Sequence, residues 1–201
     1  MAINIATKTA KIIPYTVKGN TLADIEAFMK KNGPRDGKGK SHAAITRTAV
    51  YAGTTWQARI KEVHKRPDGE FSATVTFATL TLTIHPSIKF PKLGANTLSN
   101  PAHKEWKRYI AKLKAHELEH VTEVQKYLQA LTPKILKLEG ADLGKTEKEA
   151  TANAAKDLGL AFKLTYMDGH MKRELEKLHK AFDDRTGHGA KHGAKLNTKI
   201  Q

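Results

Sequence analysis

"NPAHKEWKRYIAKLKAHELEHVTEVQKYLQAL", residues 100–131, decides how this chain is read. Trp106, Ile110, Leu113, Val121, Val124, Leu128 and Leu131 recur every three or four residues, the period at which side chains return to one face of an α-helix. Asn100 suits the cap, and Pro101 the first helical position, where its missing N–H costs nothing. The spacing predicts one long amphipathic helix from about Pro101 to Leu131, bent or ended by Pro133.

Inside that helix lies "HELEH", residues 116–120. His116 and His120 are one turn apart on the same face, so both imidazoles can reach one ion at roughly 2.0–2.1 Å. Glu117 sits about 100° round the helix from His116, beside such an ion, where it can take a proton from a metal-bound water that zinc has acidified to a pKa of about 7. This is the spacing of the zinc metalloprotease signature. The same residues also suit a solvated, charged helical face.

A catalytic zinc needs a third protein ligand. Glu123 follows on the same helix, although one straight helix does not easily wrap three ligands round one ion. Asp168 falls on the apolar face of the last helical stretch, or caps a break at Gly169. "FDDRTGHG", residues 182–189, offers Asp183 and His188. A histidine in a glycine-flanked loop can approach a metal from the side opposite the first helix, or be a mobile terminal histidine like His192.

Upstream, "IIPYTVKGNTLADIEAFMKKNGP" reads as a strand, a turn and a helix capped by Thr21 and Asp24 and stopped by Gly33-Pro34. Residues 43–84 are rich in β-branched and aromatic residues, with Asp68-Gly69 as a hairpin turn and a phase slip that places a bulge near Ala78-Thr79. "SIKFPKLGANTLSN" reads as a loop, residues 140–145 as a turn, and 146–182 as a helical stretch opened by Thr146 and Glu149.

The 201 residues can bury a real core, and no stretch approaches the roughly 20 apolar residues of a membrane span. With no cysteine, any metal site must use His, Asp or Glu. The net charge of +15 is spread along the chain: 15 Lys/Arg against 6 Asp/Glu in residues 1–99, and 20 against 14 in residues 100–201. That balance suits nonspecific polyanion affinity, without the interleaved aromatics of a strand-binding platform. Lys8 and Lys11 interrupt the N-terminal apolar run, so no signal peptide is read and the chain as written is either cytoplasmic or exported by a route this sequence does not show.

These motifs together resemble the bacterial family of predicted secreted zinc-dependent proteases. The resemblance rests on Tyr15, Val17 and Gly19, on Gly33-Pro34, Trp56 and Trp106, on His-Glu-x-x-His at 116–120, and on Phe182, Asp183, Thr186, His188 and Gly189. It implies zinc ligands at His116 and His120, a general base at Glu117 and His188 as preferred third ligand. Asp183 is then the alternative ligand, or an acceptor that orients a ligating histidine. The family's signal peptide and cysteine pair have no counterpart here.

The expectation is an α+β fold, with an N-terminal helix and an antiparallel sheet packed on long C-terminal helices. One zinc metallopeptidase-like domain would span 1–189, strand-rich over 12–95 and helical over 100–189, with 190–201 as a basic flexible tail. The expected function is hydrolysis of peptide bonds in a protein or peptide substrate; Tyr166 and nearby Lys or Arg side chains are the candidates for stabilising the oxyanion. The competing readings are a zinc amidase on cell-wall or toxin-type targets, and a noncatalytic binding module for anionic polymers.

Overall fold

The computed structural model describes residues 2–201, and its elements follow the order β1 Ala2–Thr7, β2 Lys11–Val17, α1 Leu22–Asn32, β3 Ile45–Ala52, β4 Gln57–Lys65, β5 Phe71–Leu93, α2 Asn100–Ile135, β6 Glu139–Gly144, α3 Glu147–Phe162 and α4 His170–Thr186. The fold is α+β. All five other strands pair with the 23-residue β5.

The pairing corrects the expected antiparallel sheet. β4 and β6 run antiparallel to β5, but β1 and β2 run parallel to it, at Ala2↔Thr79 and Lys11↔Ser87. β5 also continues through Pro86 and Pro91 into the stretch expected as loop. The local readings fare better. Thr21 and Asp24 form a complete capping box on α1. The hairpin closes through Arg66 N–H to the Glu70 carbonyl at 2.7 Å, with Gly69 at φ 89°. Gln57 pairs with Thr79 and Ala58 with Phe77, which leaves Ala78 as the bulged residue. At the start of α2 the cap is Ser99 rather than Asn100, since Ser99 Oγ accepts from Ala102 N–H at 3.3 Å.

The chain divides into two compact units. The first comprises residues 2–7, 49–84 and 125–176. Its β6, expected as a turn, is a strand overlaid by α3 at backbone contact. A Cβ at Gly140 would lie 2.2 Å from the Ala154 carbonyl oxygen, and one at Gly144 2.3 Å from Ala150 N. Ala150, Ala154 and Leu158 make the buried face of α3. Phe77 sits edge-on to both Trp56 and Phe162, with ring centroids 5.2 and 5.5 Å apart. α3 passes into a π-turn at Lys163–Met167 before the helix is interrupted at Asp168-Gly169.

The second unit comprises residues 8–48, 85–124 and 177–201. Val17, Leu22, Ile25 and Met29 pack with Trp106, Tyr109 and Leu113 of α2. Each fully buried aliphatic side chain of this kind contributes about 1.5–3 kcal/mol. Residues 190–201 correct the expectation of a flexible tail, because they close this core. Ala194 and Leu196 are buried in it, Arg108 donates to the carbonyls of Gly193 and Lys195 at 2.9 and 2.7 Å, and Asn197 N–H donates to Glu105 at 2.9 Å. The apolar residues inside "GAKHGAKLNTKIQ" are too few to show a period, but sufficient to dock. Among the described residues, no helix is long and apolar enough to cross a membrane.

Candidate metal centre

α2 carries its buried stripe from Trp106, Tyr109 and Leu113 directly into the motif. His116, Glu117 and His120 are 2, 3 and 4% exposed, so they continue the stripe and the solvated-face reading fails. Burying three titratable side chains on one turn is costly unless each has a partner.

α4 supplies the partner. Asp183 Oδ1 lies 3.2 Å from Nε2 of His116 and 3.2 Å from Nε2 of His120. Burial works against the charged carboxylate, but the hydrogen bonds from both rings hold Asp183 well below the usual carboxylate range. The ring of Phe182 stacks on His116 at 5.1 Å and 15°, and meets His120 edge-on at 4.6 Å.

The remaining residues of "FDDRTGHG" shape the turn that follows. Thr186 Oγ1 donates back to the Phe182 carbonyl, and His188 N–H donates to the Asp183 carbonyl. Gly187, His188 and Gly189 then take φ of 60°, 52° and 80° in succession. At Gly189 a Cβ would stand 2.9 Å from Cγ of His116, so only glycine lets the chain pass that ring.

Glu117 faces β3. Thr46 Oγ1 lies 2.7 Å from Oε2 of Glu117 and 3.0 Å from its main-chain carbonyl oxygen. Burial pushes the Glu117 carboxyl up, and the Thr46 hydrogen bond and the two histidines only partly offset it. With the carboxylate ionised, the threonine hydroxyl donates to Oε2. With it protonated, Oε2–H donates to the hydroxyl, which turns to the carbonyl. Either protonation state is thus satisfied.

The donor set fits a metal ion. His116, His120 and Asp183 offer ligand atoms all within 4.8 Å of one another, and His116, Glu119 and His192 form a second such group nearer the surface. Two imidazoles and a carboxylate suit a first-row divalent cation.

The structure brings together His116, Glu117, His120 and Asp183 from the sequence expectation. His188 is not in the converging group. Its Nδ1 lies 3.7 Å from the other Asp183 oxygen, its Nε2 is 3.4 Å from Lys40 Nζ, and its side chain is 43% exposed. Glu123 instead meets Arg185 at 3.0 Å, and Asp168 meets Lys163 at 3.8 Å.

Residues 12–189 match the model of a bacterial protein family of unknown function, DUF922. The chain belongs to DUF922. The matched span ends on Gly189, the residue against the His116 ring, so the whole constellation of this DUF922 member lies within it. No curated protein and no solved structure matches the chain.

Sequence reasoning missed Thr46, Thr48 and His179. His179 Nδ1 stands 3.1 Å from Nδ1 of His120, and its Nε2 is 2.8 Å from Thr48 Oγ1. Burial, and then the neighbouring His120, pull the His179 pKa down to about 4, so the ring is neutral. Its one sequence signal is its place four residues before Asp183, one turn away on the same helical face. The threonines have no signal, since threonine is common in any strand.

Proposed function

We propose that this protein is a zinc-dependent hydrolase of peptide bonds, in which His116, His120 and Asp183 hold the ion and Glu117 is the general base. The observation that carries this reading is the meeting of two histidine Nε2 atoms on one carboxylate oxygen, each at 3.2 Å, beside a buried glutamate on the same helical turn. Three protein ligands leave a coordination position open, as catalytic zinc requires. Zinc so held supplies Lewis acidity, polarising a carbonyl and acidifying water to near neutrality.

The chain's own groups do the rest. Glu117 takes up and returns a proton at its carboxylate, and burial moves that carboxyl toward the pH at which such transfers work best. Thr46 keeps Oε2 oriented in both states. Phe182 and Gly189 cover the flanks of His116 and keep water from them. Asp183 takes the third ligand position in preference to His188, which stands on the far oxygen of that carboxylate. The peptide bond is favoured by the His-Glu-x-x-His spacing.

Metal analysis of the purified chain is expected to give about one zinc per molecule. His116→Ala and Asp183→Ala should lose it. Glu117→Gln should keep zinc and lose cleavage of a peptide library. Full zinc retention in His116→Ala overturns the reading.

A further inference from the structure

Two threonines of β3, on the same face of the strand and two residues apart, reach the centre. Thr46 serves Glu117. Thr48 meets Nε2 of His179 at 2.8 Å, and Nδ1 of His179 meets Nδ1 of His120 at 3.1 Å. Two ring nitrogens at that distance bond only when one carries a proton and the other a lone pair. A His120 that turns the lone pair of Nε2 toward a cation carries its proton on Nδ1. His179 then accepts at Nδ1 and carries its own proton on Nε2, where the Thr48 hydroxyl oxygen accepts it. With a cation between His120 Nε2 and Asp183, this one assignment satisfies the contacts of both rings and of Thr48.

His116 has no such chain behind it. Among the described residues its Nδ1 is buried without a hydrogen-bond partner, and the ring is held by packing against Phe182 and Gly189. The two histidines of the motif are therefore held by different means.

We propose that His179 and Thr48 are positioning residues that lock His120 in the tautomer and orientation a zinc ion requires. This rests on the metal reading above. The usual acceptors behind a ligating imidazole are carboxylates and backbone carbonyls. Here an imidazole nitrogen stands in that place, held in turn by Thr48.

The test is zinc affinity of the full chain by chelator competition. His179→Leu fills the volume but removes the acceptor, and is expected to weaken binding about 10–100-fold. His179→Asn sets a carbonyl oxygen where Nδ1 stood and should recover most of that loss. Thr48→Val should weaken binding less than His179→Leu, and carries the test if the leucine variant does not fold. Thr76→Val, the same substitution at a buried threonine of the first unit, should leave zinc affinity unchanged. Nitrogen-15 spectra of the zinc-loaded chain should show His120 protonated at Nδ1 in the wild type and in His179→Asn.

Equal affinity in His179→Leu and wild type overturns the proposal. So does equal weakening in the leucine and asparagine variants, an unchanged Thr48→Val, or a Thr76→Val that loses zinc as His179→Leu does. A wild-type chain that takes up no zinc overturns the metal reading itself, and this inference with it.

Discussion

The two compact units each use glycine to bring groups into close contact, for different ends. In the first, Gly140 and Gly144 let the backbone of α3 lie on β6, and Phe77 packs edge-on to Trp56 and Phe162. In the second, Gly189 lets a loop pass the face of His116. Their interiors differ accordingly. Of the buried polar side chains among the described residues, only Thr76 belongs to the first unit, whereas Thr46, Glu105, His116, Glu117, His120 and Thr186 belong to the second. Burying such groups costs free energy that apolar side chains would not. The first unit is thus organised by packing, and the second carries polar groups that packing alone would not select.

That contrast can be broken most sharply at Glu117. In Glu117→Gln, turnover of any peptide substrate should fall by about 10²–10⁴-fold while zinc is retained. Chemical denaturation of the metal-free variant should show stability equal to or above wild type, since a buried carboxyl has been replaced by a neutral group of the same shape. A clear loss of stability would show that the carboxyl is structural.

Phe77→Ala should produce the largest loss of stability, about 3–5 kcal/mol, because it removes a ring 1% exposed between Trp56 and Phe162. Zinc content per folded molecule should not change. Calorimetry paired with metal analysis checks both.

Alanine at the two kinds of glycine should separate the units further. Gly140→Ala forces a Cβ to 2.2 Å from the Ala154 carbonyl oxygen and should cost about 1–3 kcal/mol in melting experiments. Gly189→Ala strains a φ of 80° and presses on His116. It should lower zinc affinity more than its effect on melting accounts for. The same ratio of the two effects in both variants would erase the distinction.

The smallest effect concerns the docking of residues 190–201. The hydrogen bond from Arg108, against the opposing effect of burial, holds the Glu105 carboxyl below its ordinary value of 4.5. A carboxyl depressed by folding stabilises above its unfolded pKa, and that contribution is lost as pH falls through the folded value. Proteolytic nicking of residues 190–201 should therefore rise as pH drops below about 4.5. Glu105→Gln should show the raised nicking already at neutral pH and little further change on acidification.

Local signals in the sequence were reliable where one segment determines its own conformation. The Thr21 capping box, the Asp68-Gly69 hairpin, the Ala78 bulge and the long helix through His116 each depend on residues within a turn or two of one another. The parallel pairing of β1 and β2 with β5 joins residues more than seventy positions apart, and neither strand carries a mark of direction. Gly140 and Gly144 looked like a turn because glycine signals backbone freedom and close approach with the same letter. Residues 190–201 looked loose because Ala194 and Leu196 have no period, and docking needs none.

The sequence by itself determined that His116 and His120 share a helical face with Glu117 beside them, since that follows from 3.6 residues per turn alone. Only the tertiary structure decided that this face is buried, that Asp183 stands between the two rings, and that His188 is left at the carboxylate's far oxygen. It also brought His179 and Thr48 behind His120. The reason is geometric: helical spacing orders groups along one axis, whereas a metal centre needs donors from separate elements to meet at a point. Where those elements meet is set by the packing of α2, α4 and β3.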